Sequence, residues 1–357
     1  MTTTEDRRAA ASHVLSAKTL TDVQLPDADA TTTVRRLRRL LHPDGLAGDD
    51  AAWRALDALA SPHVVAAPAP PAGPSDDAPL ELRVGKRCYT LGALLTRGDL
   101  SDLYAAGPGQ VAKVSGPADA DLLEREAATL RAIHAPDDHD GPRARLRRLV
   151  PALVDTFALH GPDGTRRVNV LERADGCVDL RDVRAAYPNG VDYRDAAWMM
   201  RRLLAALGTT HFRGYVHGAV LPVHVMINAD NHGAALVDWC YAVKTGEPAH
   251  AIVAARTGWY PPEVLAKRPL TPATDVYMAG MCYAYLLGDT TTGEILRPAA
   301  DTPREIQAFV RSMLIEAPFR RPSDAWALHE QLGDVMRELC GPPTFRPFVM
   351  PPRRATT

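Results

Sequence analysis

The sequence predicts an α+β fold in which a small strand-rich lobe precedes a larger helical lobe, behind a small all-α module at the N-terminus. Three observations predict it. Strand-like pieces concentrate in residues 82–174. From Asp192 the pattern turns helical, apart from one hairpin. A proline-rich stretch at 61–81 separates both from a front region, 1–60, that reads as helices.

The elements follow in order. RRAAASHVLSA is a short candidate helix, and ADATTTVRRLRRLL places Val34, Leu37, Leu40 and Leu41 at helical spacing. His42-Pro43-Asp44 interrupts. Asp49 or Asp50 can then cap DAAWRALDALA, with Trp53, Leu56 and Leu59 on one face. The linker 61–81 is expected to be extended and semi-rigid, reaching roughly 50–60 Å at about 3 Å per residue, because proline neither donates to a ladder nor continues a helix. ELRVGKRCYTLGAL, LSDLYAAG and QVAKVSG read as strands, and DADLLEREAATLRAIHA as an amphipathic helix. PALVDTFAL and RRVNVLERA are two further strands. YRDAAWMMRRLLAALGTTHFRG is helical, VHVMINADNHGAALVDWC a hairpin, and the remainder mostly helical. Residues 344–357 read as a tail.

Composition bounds the function classes. Hydrophobic residues make up 46% and charged residues 24%, as in a folded, soluble chain. A formal net charge of -2 gives no electrostatic footprint for a nucleic-acid partner. The 5 cysteines, Cys88, Cys177, Cys240, Cys282 and Cys340, form no C-x-x-C pair, which argues against a disulfide framework or zinc site and suits a reducing compartment. The start, MTTTEDRRAA, has no apolar segment of a signal peptide, and no apolar run reaches the roughly 18 residues of a membrane span. A cytoplasmic location without membrane contact is the expectation. Lysine is scarce, so Lys113 between Val and Ala in a strand stands out: an apolar setting is costly unless its charge is paired.

Several short motifs share one order. Thr96, Gly98 and Ser101 are the small positions of a turn that lets backbone N–H groups close over phosphates; a plain hairpin turn uses the same letters. Val111-Ala112-Lys113-Val114 offers a strand lysine, or else a snorkelling one. Glu126, with Glu124 as neighbour, offers a helix carboxylate. Glu172 to Ala174 ends a strand. His217 and Pro222 bracket a loop containing Ala219, Leu221 and His224. Asp238 follows His217 by 21 residues, and is either a metal ligand or a capping aspartate. Thr257 to Glu263, Asp275 to Gly280 and Arg321-Pro322-Ser323 complete the series.

This order resembles the protein kinases, over about three quarters of the chain. The resemblance implies a bilobal kinase-like domain, with an N-lobe at 82–174 and a C-lobe at 175–343. It implies ATP or another nucleotide as ligand, held at Gly98, Ser101, Lys113 and Glu126 and by the hinge backbone at Glu172 and Ala174. It implies Mg²⁺ or Mn²⁺ at Asp238, with His224 where the family has its second metal ligand, an asparagine. Imidazole suits Mg²⁺ poorly, so one metal or none is expected. The catalytic aspartate is replaced by Ala219, and the lysine that follows it by Leu221. The late glutamate Glu263 should pair with Arg321, and Asp275 should anchor the catalytic-loop backbone. Scaffold kept while chemistry is lost is the pattern of a pseudokinase.

The front resembles a J-domain: a helix with Arg35, Arg36, Arg38 and Arg39, then His42, Pro43 and Asp44, then a second helix. That family stimulates a DnaK-type heat-shock chaperone, which implies a chaperone contact through the H-P-D turn and basic steering through Arg36 and Arg39. Three functions follow. The first is a nucleotide-binding regulatory module that recruits a chaperone to an unknown client. The second is an active atypical serine/threonine protein kinase with a non-standard catalytic loop. The third is a scaffold with no ligand.

Overall fold

The computed structural model describes residues 4–18, 20–23, 33, 37, 52, 55, 56, 80–84, 87–136, 141–161, 164–289 and 301–351. It is a mixed α+β structure, and the chain divides into two compact units. The first comprises Met1–Leu123, Asp155–Val170 and Val253–Thr257; the second comprises Glu124–Val154, Leu171–Ile252 and Gly258–Thr357.

The first unit opens with helix α1 (Thr4–Ser16). A small core gathers Ala11 and Val14 of α1 with Val23, Leu37, Ala52 and Leu56. Arg36, Arg39, His42, Pro43 and Asp44 lie outside the described residues, as does most of the expected linker. The strands are β1 (Leu80–Val84), β2 (Arg87–Leu91), β3 (Leu94–Arg97), β4 (Ser101–Ala105), β5 (Gln110–Ser115), β6 (Leu153–Gly161) and β7 (Gly164–Glu172). β1 therefore begins two residues inside the stretch expected to be linker. β1 and β2 form an antiparallel pair, and the others form a sheet in the order β3-β4-β5-β7-β6. Leu91, Ala106, Ala112, Phe157, Val168 and Val170 make its core. Asn169, fully buried, is satisfied on both sides: its amide donates to Leu123 O at 2.8 Å and its oxygen accepts from Thr156 Oγ1 at 2.7 Å.

Helix α2 (Ala120–His134) leads into the second unit. That unit holds β8 (Cys177–Asp179), α3 (Leu180–Ala186), α4 (Tyr193–Phe212), β9 (Tyr215–Val216), β10 (Val225–Asn228), β11 (Gly233–Leu236), β12 (Val243–Lys244), α5 (Pro262–Leu265), α6 (Pro272–Leu286), α7 (Arg304–Met313) and α8 (Ala325–Cys340). Helix α4 is its axis. Ala196, Met199, Met200, Leu203, Leu204 and Leu207 recur at helical spacing and are buried against α6 and α8. Each such leucine or methionine is worth roughly 1.5–3 kcal/mol of apolar burial. Aspartates start three of the helices: Asp179, Asp192 and Asp324 each accept from backbone N–H groups of the first turn. Gly208 permits the approach of α8, because a Cβ there would lie 2.7 Å from the Trp326 ring. Among the described residues no helix is long and apolar enough to cross a membrane.

Sequence reading treats the end of the chain as a tail, yet its first part is a pinned strap. Phe348 is buried, 5.4 Å from the Tyr187 ring and 6.1 Å, edge-on, from Trp198. Trp198 stacks on His232 at 4.0 Å, and His232 in turn meets Phe345 at 4.5 Å. Arg346 pairs with Asp192 at 3.0 Å and with Asp195 at 3.4 Å, and Tyr187 Oη donates to Val349 O.

Candidate functional site

The site grows from the loop that follows β9. Asp275, fully buried in the first turn of α6, accepts from the backbone N–H of His217 at 2.8 Å and of Gly218 at 2.9 Å; the His211 ring Nε2 lies 2.9 Å from the same carboxylate. A carboxylate at a helix N-terminus is favoured by the orphan N–H groups there. Asp275 thus sets the path of the loop carrying Ala219, the anchoring role expected of it.

His217 is sealed inside. Its Nε2 donates to Val237 O at 3.0 Å, its Nδ1 accepts from Ala219 N–H at 3.2 Å, and its ring meets Trp239 edge-on at 4.5 Å. Such a ring carries one hydrogen. Burial pushes its pKa down to about 4, against the upward pull of Asp275. Ala219, Val220 and Leu221 are all 0% exposed. Ala219 is therefore a methyl group within an apolar, sealed segment.

His224 and Asp238 meet. Val225–Asn228 pairs with Gly233–Leu236 in an antiparallel hairpin, and Val237 N–H donates to His224 O at 2.9 Å, so the two strand ends leave the turn side by side. His224 Nε2 then lies 3.0 Å from Asp238 Oδ2, while its Nδ1 donates to Ala219 O at 2.7 Å. The Tyr241 ring stacks on His224 at a centroid distance of 5.9 Å. The other carboxylate oxygen, Asp238 Oδ1, accepts from the Cys240 thiol at 3.2 Å. Asp238 takes up φ 69° and ψ 59°, a left-handed conformation that aspartate tolerates better than most residues.

Glu126 on α2, 1% exposed, accepts from the backbone N–H of Trp239 at 3.0 Å. Of the two carboxylates that sequence leaves open, Glu126 is the buried one, and Glu124 is exposed. Glu172 ends β7 and its N–H donates to Ala152 O at 3.0 Å; Ala174 O accepts from Cys177 N–H at 3.2 Å. Glu263 and Arg321 form the expected late pair at 2.7 Å.

Three expected residues belong to the first unit. Gly98 N–H donates to Ser101 O at 3.0 Å in the turn between β3 and β4, where a Cβ at Gly98 would fall 2.5 Å from that oxygen. Glycine is thus required by the turn itself. Lys113 sits on β5 opposite Leu103 and is 7% exposed.

Sequence reasoning missed Cys240, Tyr241 and the pairing of His224 with Asp238. The hairpin register was the signal that could have found the pairing, since it sets residues 224 and 237 opposite each other. Among the described residues no group of three or more His, Cys, Asp or Glu side chains is arranged to hold a metal ion.

A mixed α+β chain with an anchored histidine loop, a buried helix glutamate and a hairpin aspartate is kinase-like in its parts. The comparisons with known proteins support a kinase-like relationship. The chain is 27% identical over 168 residues to the serine/threonine-protein kinase PknK of Mycobacterium tuberculosis, strain H37Rv, and equally to PknK of Mycobacterium bovis. That alignment covers 41% of this chain and 15% of the relative, so the chain matches only a small part of the curated proteins it is similar to. No family profile matches the chain.

Proposed function

We propose that residues 82–343 form a pseudokinase-type module that binds ATP or another nucleotide, transfers phosphate poorly or not at all, and serves as a binding or regulatory partner of another protein. One observation carries this reading. The loop that Asp275 locks in place presents Ala219, buried and without a proton acceptor, where a hydroxyl substrate needs a base. Removal of a general base commonly costs about 10²–10⁴ in rate. The retention of Lys113, Glu126 and Asp238 supports nucleotide as the ligand, because these residue types bind and orient phosphates in the proteins it resembles. The similarity to PknK supports the same direction.

The front module, with His42, Pro43 and Asp44, we assign to recruitment of a DnaK-type chaperone, on sequence grounds alone. The nucleotide reading is tested by thermal shift of the full chain with ATP, with and without Mg²⁺ or Mn²⁺. A rise in the melting temperature that Lys113→Ala abolishes supports it; no shift under any condition refutes it. Transfer of labelled phosphate from ATP to generic substrates, lost in Asp238→Ala, would replace it with the active-kinase reading.

A further inference from the structure

The kinase-like parts of the second unit imply a divalent cation at Asp238, and the residues present do not fit one. A hard cation such as Mg²⁺ takes oxygen ligands in near-octahedral geometry and wants free carboxylate lone pairs. Asp238 Oδ2 faces His224 Nε2 at 3.0 Å, and Oδ1 accepts from Cys240 Sγ at 3.2 Å. The second ligand position is equally committed. His224 Nδ1 is 2.7 Å from a carbonyl, which only accepts, so that nitrogen carries a hydrogen. Nε2 is the one nitrogen left for a metal, and it is directed into the carboxylate. Whichever of the two groups holds the hydrogen between them, Nε2 and Oδ2 are spent on each other. The ring is also fixed in place, 7% exposed and stacked by Tyr241. A cation entering here would have to break the His224–Asp238 contact, buried on the histidine side, and find only one freed carboxylate and an imidazole, a donor pair that Mg²⁺ binds poorly.

We propose that His224 occupies the place of the metal at Asp238, so that this position takes no divalent cation and the nucleotide bound by the module binds metal-free. The substitution is a chemical replacement rather than a loss. The ring orients Asp238 and leaves a shared hydrogen, not a metal ion, at the carboxylate. The nucleotide part rests on the proposed function; the closed metal position does not.

Two measurements on the full chain separate the two claims. In the first, Mn²⁺ is titrated into the nucleotide-free protein and followed by its paramagnetic resonance signal. The wild type should leave Mn²⁺ free up to about millimolar concentration, whereas His224→Asn, which vacates Oδ2, should bind it at least about tenfold more tightly. Mn²⁺ bound by the wild type and released by Asp238→Asn would overturn the proposal without help from any other variant. In the second, ATP affinity is measured by calorimetry with excess EDTA and with excess Mg²⁺. Affinities within about twofold of each other are expected. A tenfold or greater dependence on Mg²⁺ overturns the metal-free claim while leaving nucleotide binding intact. Absence of ATP binding in both arms overturns the nucleotide claim together with the proposed function, and the Mn²⁺ titration still decides the metal position by itself.

Discussion

Arg321 and Glu263 face each other at 2.7 Å with both side chains sealed from solvent, at exposures of 0% and 3%. The guanidinium also donates to the carbonyls of Ile315, Ala273 and Glu316, and lies 4.8 Å from the centre of the Tyr277 ring. Breaking a buried pair strands one charge, at about 3–5 kcal/mol. Arg321→Met should therefore lower the unfolding free energy by that amount in urea denaturation. Arg321→Lys should recover little of it, because one ammonium cannot replace a fork that serves a carboxylate and three carbonyls. A loss below about 1 kcal/mol for Arg321→Met would contradict this account.

Asp275 makes a sharper prediction about the loop than about the whole fold. Asp275→Ala leaves the amides of His217 and Gly218 buried without an acceptor, each at roughly 1–3 kcal/mol. Destabilisation of several kcal/mol is expected, with faster hydrogen exchange at those two amides. Asp275→Asn keeps one oxygen and should fall between the variant and wild type. Unchanged protection at His217 and Gly218 in Asp275→Ala would show that something else holds the loop.

His217 predicts a pH dependence. Its pKa is about 4 in the folded protein, against an ordinary value near 6.5. Burial is the largest cause and His224 pushes the same way, against the upward pull of Asp275, the Val237 carbonyl and Asp238. Between those two values the unfolded chain binds the proton and the folded chain does not. The stabilisation is thus complete above about pH 6.5 and is lost as pH falls toward 4, by an amount on the order of 3 kcal/mol. Urea midpoints measured across this window should drop more steeply for the wild type than for His217→Gln, which cannot titrate. Parallel curves would refute the assignment.

Gly208 tests the packing of α4 on α8. Gly208→Ala would push a methyl group into the Trp326 ring and should cost about 1–3 kcal/mol by overpacking. The cost should shrink when Trp326 is also reduced to leucine, a non-additivity that a remote pair would lack. Simple additivity of the two changes would contradict the close approach.

These residues also show what was legible in the sequence. Most of the longer described helices and strands could be read from apolar spacing, because periodicity reports which face is buried. ELRVGKRCYTLGAL, however, reads as one piece where the chain forms β1, β2 and the start of β3, and α3 was not read. Glu263 with Arg321, and Asp275 with the histidine loop, were readable as motif partners although dozens of residues separate them. The choice of Glu126 over Glu124 was half-legible: both are acidic, and only the rotation of α2 decides which is buried. The contact of His224 with Asp238 was not legible, since it depends on hairpin register and on a left-handed turn at Asp238 that no residue type dictates. The strap was missed for another reason. Phe345, Arg346 and Phe348 have no period among prolines, and their anchors, Trp198 and Asp192, are some 150 positions earlier.

The strap has an optical consequence. Trp198 is stacked flat on an imidazole and touched edge-on by Phe348, so its indole reports the docking of the chain end through its emission. With 5 tryptophans in the protein, replacing the other four would leave Trp198 as a built-in gauge of attachment, readable without any added dye.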